Sequence, residues 1–182
     1  MICRQQVIKQ ADVVLAMFLL GDEFSREQKR RNFDFYDPLT TGDSSLSVSI
    51  QTIVARELGD LEKSRKYLEY AVLMDLADIA ANVEQGCHLA CMGSTWMATV
   101  YGVAGMRDYG GRVSFDPRLG KHLDRLTIPL QIRGRRLVVQ MDRLQETVTY
   151  LLRQGAPLEI HHQAERLELR EGVPLSRPLK VE

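Results

Sequence analysis

The sequence predicts an α+β protein in which helices come first and strands second. Two observations carry this. Apolar residues up to about residue 105 recur at helical spacing, whereas beyond Gly110-Gly111 they alternate in short runs broken by turns. The change of period places a domain boundary there, with residues 1–110 helical and 111–182 a small β-domain.

The first helix is read from Val7, Ile8, Ala11, Val14, Leu15, Phe18 and Leu19. Val13, Ala16, Met17 and Leu20 fill most of its other faces, so it is expected to be buried nearly all round, with Gly21 ending it. Ser25 with Gln28 forms a capping-box pattern that opens a second, polar helix through about Phe35. Asp37-Pro38 stops that helix, because a residue before proline avoids the α region. After a polar loop, a third helix is expected from about Leu46 to Glu57. Gly59-Asp60 makes a turn and cap, and a fourth helix runs from Leu61 to Asp75. That fourth stretch looks locally like a tetratricopeptide helix, but no second copy follows at the required period. A last helix is expected from about Cys87 to Gly105.

Short strands are expected at residues 113–115, 126–132, 137–141, 147–152, 158–160 and 167–169, which is the pattern of a β-sandwich. The tail from Pro174 is expected to be loosely held. An odd number of helices, led by one that is apolar all round, favours a segment of a larger helical barrel over a self-standing α+β protein.

Composition narrows the functional classes. The 182 residues carry 24 Lys plus Arg and 24 Asp plus Glu, a formal net charge of zero. Nucleic acid and membrane surfaces attract a positive excess, so neither is expected as the main partner. No apolar run approaches the roughly 20 residues needed to span a bilayer, and the start lacks the apolar stretch of a secretory signal. The 3 cysteines, Cys3, Cys87 and Cys91, read as cytosolic thiols, and a cytoplasmic location is expected. Cys87, His88 and Cys91 fall within about one helical turn, a spacing a metal site can use, but small residues on a packed helix account for it, and no metal is expected.

Four features can carry chemistry. Asp43-Ser44-Ser45 follows Gly42 and leads into a helix, where hydroxyls and free N–H groups make an anion site or a plain N-cap. Gly86-Cys87-His88 opens another helix, with Gly93-Ser94-Thr95 inside it. His88 suits donation to an anion, and Ser94 and Thr95 suit either that role or close helix packing. Lys9-Gln10 lies inside the expected apolar first helix, where a buried Lys needs a partner or a function. Asp34 and Asp37 form a possible carboxylate pair, better read as solvated on an acidic loop.

These signals fall in a recognisable order. Ile8-Lys9-Gln10-Ala11-Asp12-Val13-Val14, Tyr36-Asp37-Pro38-Leu39-Thr40, Asp43-Ser44-Ser45-Leu46-Ser47, Glu57-Leu58-Gly59-Asp60, and Gly86-Cys87-His88-Leu89-Ala90 with Gly93-Ser94-Thr95-Trp96 resemble glycoside hydrolase family 65. Gly110 to Leu119 matches the family's link into a C-terminal β-domain. That family contains maltose, trehalose and kojibiose phosphorylases. The resemblance implies an (α/α)6 barrel, of which this chain would hold the last helices, followed by a small β-sandwich domain.

The resemblance also implies roles. Lys9 and Gln10 would hydrogen-bond the sugar beside the broken bond. Ser44, Ser45 and His88 would bind phosphate, helped by Gly93, Ser94 and Thr95. The substrates implied are a disaccharide and inorganic phosphate, the latter a co-substrate, with no further cofactor. In the family a glutamic acid protonates the leaving oxygen while phosphate attacks the opposite face. That acid lies upstream of the Lys-Gln motif, and Glu23, Glu27 and Glu57 do not fit its context, so no general acid is expected in this chain. The chain is therefore expected to be inactive alone, with an upstream chain or a homo-oligomer completing the barrel. A family hydrolase and a non-catalytic helical interaction module are the alternatives.

Overall fold

The computed structural model describes residues 5–42, 44, 46–79, 81 and 83–181, apart from the side chain of Gln85. The chain divides into two compact units, Met1–Gly102 and Val103–Glu182. The division falls earlier than the change of period at Gly110-Gly111, because Arg107 already pairs with Ser114 as an isolated β-bridge.

The helical unit contains α1 (Asp12–Leu19), α2 (Arg26–Tyr36), α3 (Ser47–Leu58), α4 (Leu61–Leu73) and α5 (Leu89–Met97), the last continued by a π-helical turn at Ala98–Val103. Local chemistry explains the boundaries. Ser25 and Gln28 form the reciprocal capping box of α2, and Asp60 caps α4 by accepting from the Lys63 N–H at 3.2 Å. Gly59 ends α3 in the left-handed region at φ 84°, where a side chain would be strained. The Leu58 carbonyl at that end accepts from Arg26 and Arg30.

Two sequence expectations about this unit are corrected. The first helix does not begin near Val7. Ile8 instead pairs with Thr40 in a parallel bridge, its N–H bonding the Leu39 carbonyl at 3.0 Å and its carbonyl accepting from Thr41 at 2.9 Å. The helix that is buried all round is α3, not α1. Val14, Met17 and Phe18 of α1 are buried, while Leu19 and Leu20 are exposed. α3 is packed against α1, α2, α4 and α5, and eleven of its residues are buried. Its polar side chains hid this, because a buried polar group is tolerated once it is hydrogen-bonded.

Asp37 supplies a third correction. It is 5% exposed rather than solvated. Its carboxylate accepts from Gln51 at 2.8 Å, Lys63 at 3.0 Å and the Tyr67 hydroxyl at 2.9 Å. Burial, then the Asp37 charge, pushes the Tyr67 hydroxyl well above its ordinary pKa. Asp34 is exposed and pairs with Arg30 at 3.4 Å.

The second unit holds β1 (Ser114–Phe115), β2 (Arg118–Leu119), β3 (Arg125–Ile132), β4 (Arg135–Asp142), β5 (Thr147–Gln154), β6 (Leu158–His162), β7 (Glu165–Leu169), β8 (Pro174–Pro178) and β9 (Lys180–Val181). One sheet has the order β3-β4-β5-β8, a second β1-β6-β7, and β2 pairs with β9. Alternate residues point inward: Ile128 and Leu130, Leu137, Val139 and Met141, then Val148, Tyr150 and Leu152. Tyr150 joins the two larger sheets. Its ring centroid lies 5.4 Å from that of Phe115, and its hydroxyl lies 2.9 Å from His162 Nδ1.

The tail from Pro174 is not loosely held. β8 pairs antiparallel with β5, with Tyr150 opposite Leu175, and Lys180 Nζ reaches Asp116 at 2.7 Å. The two prolines obscured the strand, yet β8 is an edge, where a missing N–H costs no ladder bond. Gly105 is required by close approach: a Cβ there would sit 2.3 Å from the Asp116 carbonyl oxygen.

Candidate functional site

The helices run in alternating directions. The start of α2 meets the end of α3 through Lys29 and Glu57 at 2.5 Å, and the Asp37 turn beyond α2 meets Gln51 in the first half of α3. α5 runs antiparallel to α4, since Thr95 bonds the Ala71 carbonyl at 3.3 Å while His88 bonds Asp75. α1, α3 and α5 therefore start at one end of the unit. Hydrogen bonds tie these helices together, at the starts of α1 and α3 and in the second half of α5. The Ala11 N–H donates to Ser47 Oγ at 3.2 Å, linking α1 to α3, and Ser49 Oγ donates to Ser94 Oγ at 2.9 Å, linking α3 to α5.

Most of the candidate residues lie at this end. Lys9 and Gln10 are exposed and precede α1, beside the strand-like pairing of Ile8 with Thr40. This removes the puzzle of a lysine within an apolar helix. Ser44 is 9% exposed, and its carbonyl accepts from the Ser47 N–H at 3.1 Å. Ser45 and Asp43 lie outside the described residues, as does Cys3. Ser44 is not the N-cap of α3; Leu46 holds that position with no side-chain bond to the first turn. Neither is α5 capped by a side chain, His88 occupying its N-cap position. Exposed N–H groups at helix starts carry partial positive charge and suit an anion.

His88 is held by a residue that no motif indicated. Asp75 accepts from the His88 backbone N–H at 2.9 Å and lies 2.5 Å from Nδ1. The ring contact first, then the backbone contact, holds the Asp75 carboxyl below its ordinary pKa. Asp75, expected at the end of the fourth helix, lies just past α4 in a turn, and only the folded chain brings it to His88.

Ser94 is buried and Thr95 half-buried. Ser94 Oγ donates to the Cys91 carbonyl at 3.0 Å while accepting from Ser49, and Thr95 Oγ1 bonds the Cys91 carbonyl at 2.8 Å. These hydroxyls join α5 to α3 and α4. Gly93 has open space where a Cβ would stand. Cys91 is buried with its thiol 3.8 Å from the Ala71 carbonyl, and Cys87 is exposed. Among the described residues no cluster of His, Cys, Asp and Glu is arranged to hold a metal ion, and no helix is long and apolar enough to cross a membrane.

Comparison with known proteins bears on what this end does. Residues 1–97 match the model of the glycosyl hydrolase family 65 central catalytic domain, and residues 106–169 match that family's C-terminal domain. The chain is 40% identical over 171 residues to an alpha,alpha-trehalose phosphorylase of Thermoanaerobacter brockii, covering 94% of this chain and 22% of that protein. It is 38% identical over 160 residues to a maltose phosphorylase of Bacillus subtilis (strain 168), covering 88% and 21%. A provisionally named kojibiose phosphorylase from the human microbiome, whose structure is solved, superimposes with a TM-score of 0.87 at 28% identity, over 97% of this chain and 26% of that one. The chain thus spans about a fifth of the length of these curated relatives.

Proposed function

Because the chain belongs to glycosyl hydrolase family 65, a family within carbohydrate metabolism, we propose that it carries the phosphate-side part of an inverting disaccharide phosphorylase active site. The observation that supports this best is the common end of α1, α3 and α5, to which Lys9-Gln10, the Ser44 corner and His88 all belong. Helix starts, a serine corner and an imidazole together give several donors for one tetrahedral oxyanion. Holding phosphate there would set the nucleophile in line and lower the entropic cost of attack.

In this reading Ser44, Ser45 and His88 bind phosphate, with Gly93, Ser94 and Thr95 shaping that wall. The hydroxyls of Ser94 and Thr95 act by fixing α5, given their partners. Lys9 and Gln10 hydrogen-bond the sugar. The helices belong to an (α/α)6 barrel, and the enzyme works in the cytoplasm without a further cofactor. The proton donor to the leaving sugar is not among these residues. The 182 residues alone are then expected to release no glucose 1-phosphate from maltose, trehalose or kojibiose. The Ser44, Ser45 and His88 set favours phosphorolysis over hydrolysis.

Titration calorimetry of the chain with inorganic phosphate tests the reading. Saturable binding that weakens in Ser44→Ala and His88→Gln supports it. No binding by a chain whose circular dichroism is intact overturns it.

A further inference from the structure

One carboxylate meets His88 twice. Asp75 Oδ2 accepts from the backbone N–H at 2.9 Å, and Oδ1 lies 2.5 Å from ring Nδ1. The side chains are 15% and 27% exposed respectively, so the contact is partly shielded from water. The backbone bond fixes where His88 stands at the start of α5, and the ring bond fixes how the imidazole is turned. An ionised carboxylate has acceptors only, so Nδ1 carries a proton. Nε2 is then the ring nitrogen left for a ligand.

We propose that Asp75 is a positioning residue for the anion site, holding the His88 ring with Nδ1 turned to its own carboxylate and Nε2 presented to phosphate. This rests on reading the His88 end as the phosphate site. The chemical consequence is specific. A neutral imidazole protonated on Nδ1 offers phosphate a lone pair, whereas the imidazolium donates from Nε2 with a full charge. With Nδ1 engaged by Asp75, the imidazolium would meet phosphate through Nε2 as a charge-assisted donor.

Nitrogen-15 NMR of the histidine rings in the 182-residue chain tests this, with His88→Gln assigning the resonances. At a pH where the rings are neutral, His88 is expected to carry its proton on Nδ1. Asp75→Asn makes a sharper demand. The backbone N–H can only donate, so the amide must turn its oxygen to it. The NH2 group then meets Nδ1, which must accept, and the proton moves to Nε2. A wild-type proton on Nε2 overturns the proposal, and so does a folded D75N chain that keeps Nδ1 protonated. Should D75N fail to fold, the wild-type tautomer decides. Inorganic phosphate titrated into the same chains at a lower pH, where the nitrogen shifts show both His88 nitrogens protonated, separates this from the underlying reading. Binding about tenfold weaker in D75N is expected, the loss of one charge-assisted bond. Tautomer inversion in a chain that binds no phosphate overturns the phosphate reading and Asp75's role in it, while leaving the ring geometry standing.

Discussion

Ser49 Oγ on α3 donates to Ser94 Oγ on α5 at 2.9 Å, and both residues are buried. This bond, passed on from Ser94 to the Cys91 carbonyl, sets the height of α5 against α3 and hence that of His88 against the Ser44 corner. Ser49→Ala leaves Ser94 with a donor role intact and one acceptor unfilled, and should cost about 1 kcal/mol. Ser94→Ala strands the Ser49 hydroxyl and should cost about 1–2 kcal/mol. The double variant should cost less than the sum, because neither hydroxyl is then left alone. Urea unfolding of the four chains measures the coupling, and strict additivity would refute it.

Asp37 should matter more for stability than any other carboxylate of the helical unit. It is buried and draws together Gln51, Lys63 and Tyr67 from α3 and α4. Asp37→Ala leaves the Gln51 amide without its acceptor and Lys63 with only Asp60, at 4.0 Å, as a counter-charge. Lys63 is 34% exposed and can rehydrate, so the expected loss is about 2–3 kcal/mol, below that of a fully buried pair. Tyr67→Phe removes one bond and should cost about 1 kcal/mol. A folded D37A chain with an unchanged denaturation midpoint would contradict this.

The capping box at Ser25, the turn at Gly59-Asp60 and the alternation through β3 to β7 were readable in the sequence, because each is set by neighbours close along the chain. What escaped depends on distant partners. Val7 to Gln10 scan as helix, but Ile8 finds hydrogen bonds at Leu39 and Thr41 instead. α3 reads as half polar, but Ser47, Ser49 and Gln51 each find a partner on another segment. Pro174 and Pro178 argue against a strand unless the strand is known to lie at an edge. The site shows the same division. The motifs around Lys9, Ser44 and His88 could be found by resemblance, whereas Asp75 could not, since nothing local distinguishes it from any polar residue after a helix.

The β-unit should weaken on mild acidification. Burial holds His162 below its ordinary value of 6.5, and its Nδ1 lies 2.9 Å from the Tyr150 hydroxyl, a neutral partner that brings no counter-charge to an imidazolium. A base whose folded pKa is lowered adds stability that is complete above the unfolded value and is lost as pH falls toward the folded one. Stability should therefore decline as pH drops from about 7 to about 5. Asp116, Glu159 and Glu165 act in a separate window. For Asp116 burial would raise the pKa, but Lys180 and Arg118 outweigh it; Arg166 and Arg177 lower the two glutamates. Their support is present above the ordinary carboxylate range and disappears only below it. His162→Gln should flatten the upper window and leave the lower one. An equal slope between pH about 7 and about 5 in both chains would rule out His162 as its source.

The exposed face of α5 should drive association of the isolated chain. Leu89, Met92 and Trp96 follow one another at helical spacing and are 76%, 49% and 51% exposed. Three large apolar side chains on one stripe form a patch that single scattered residues do not, and water favours covering it. The patch adjoins the helix start that bears His88, so whatever covers it also borders the candidate site. Sedimentation velocity at rising concentration should show the chain moving from monomer to larger species. Leu89→Glu with Met92→Glu should return it to monomer with unchanged circular dichroism, because neither residue contributes to the buried core. A wild-type chain that stays monomeric at high concentration, or a variant that associates as the wild type does, would show that α5 is not the surface responsible.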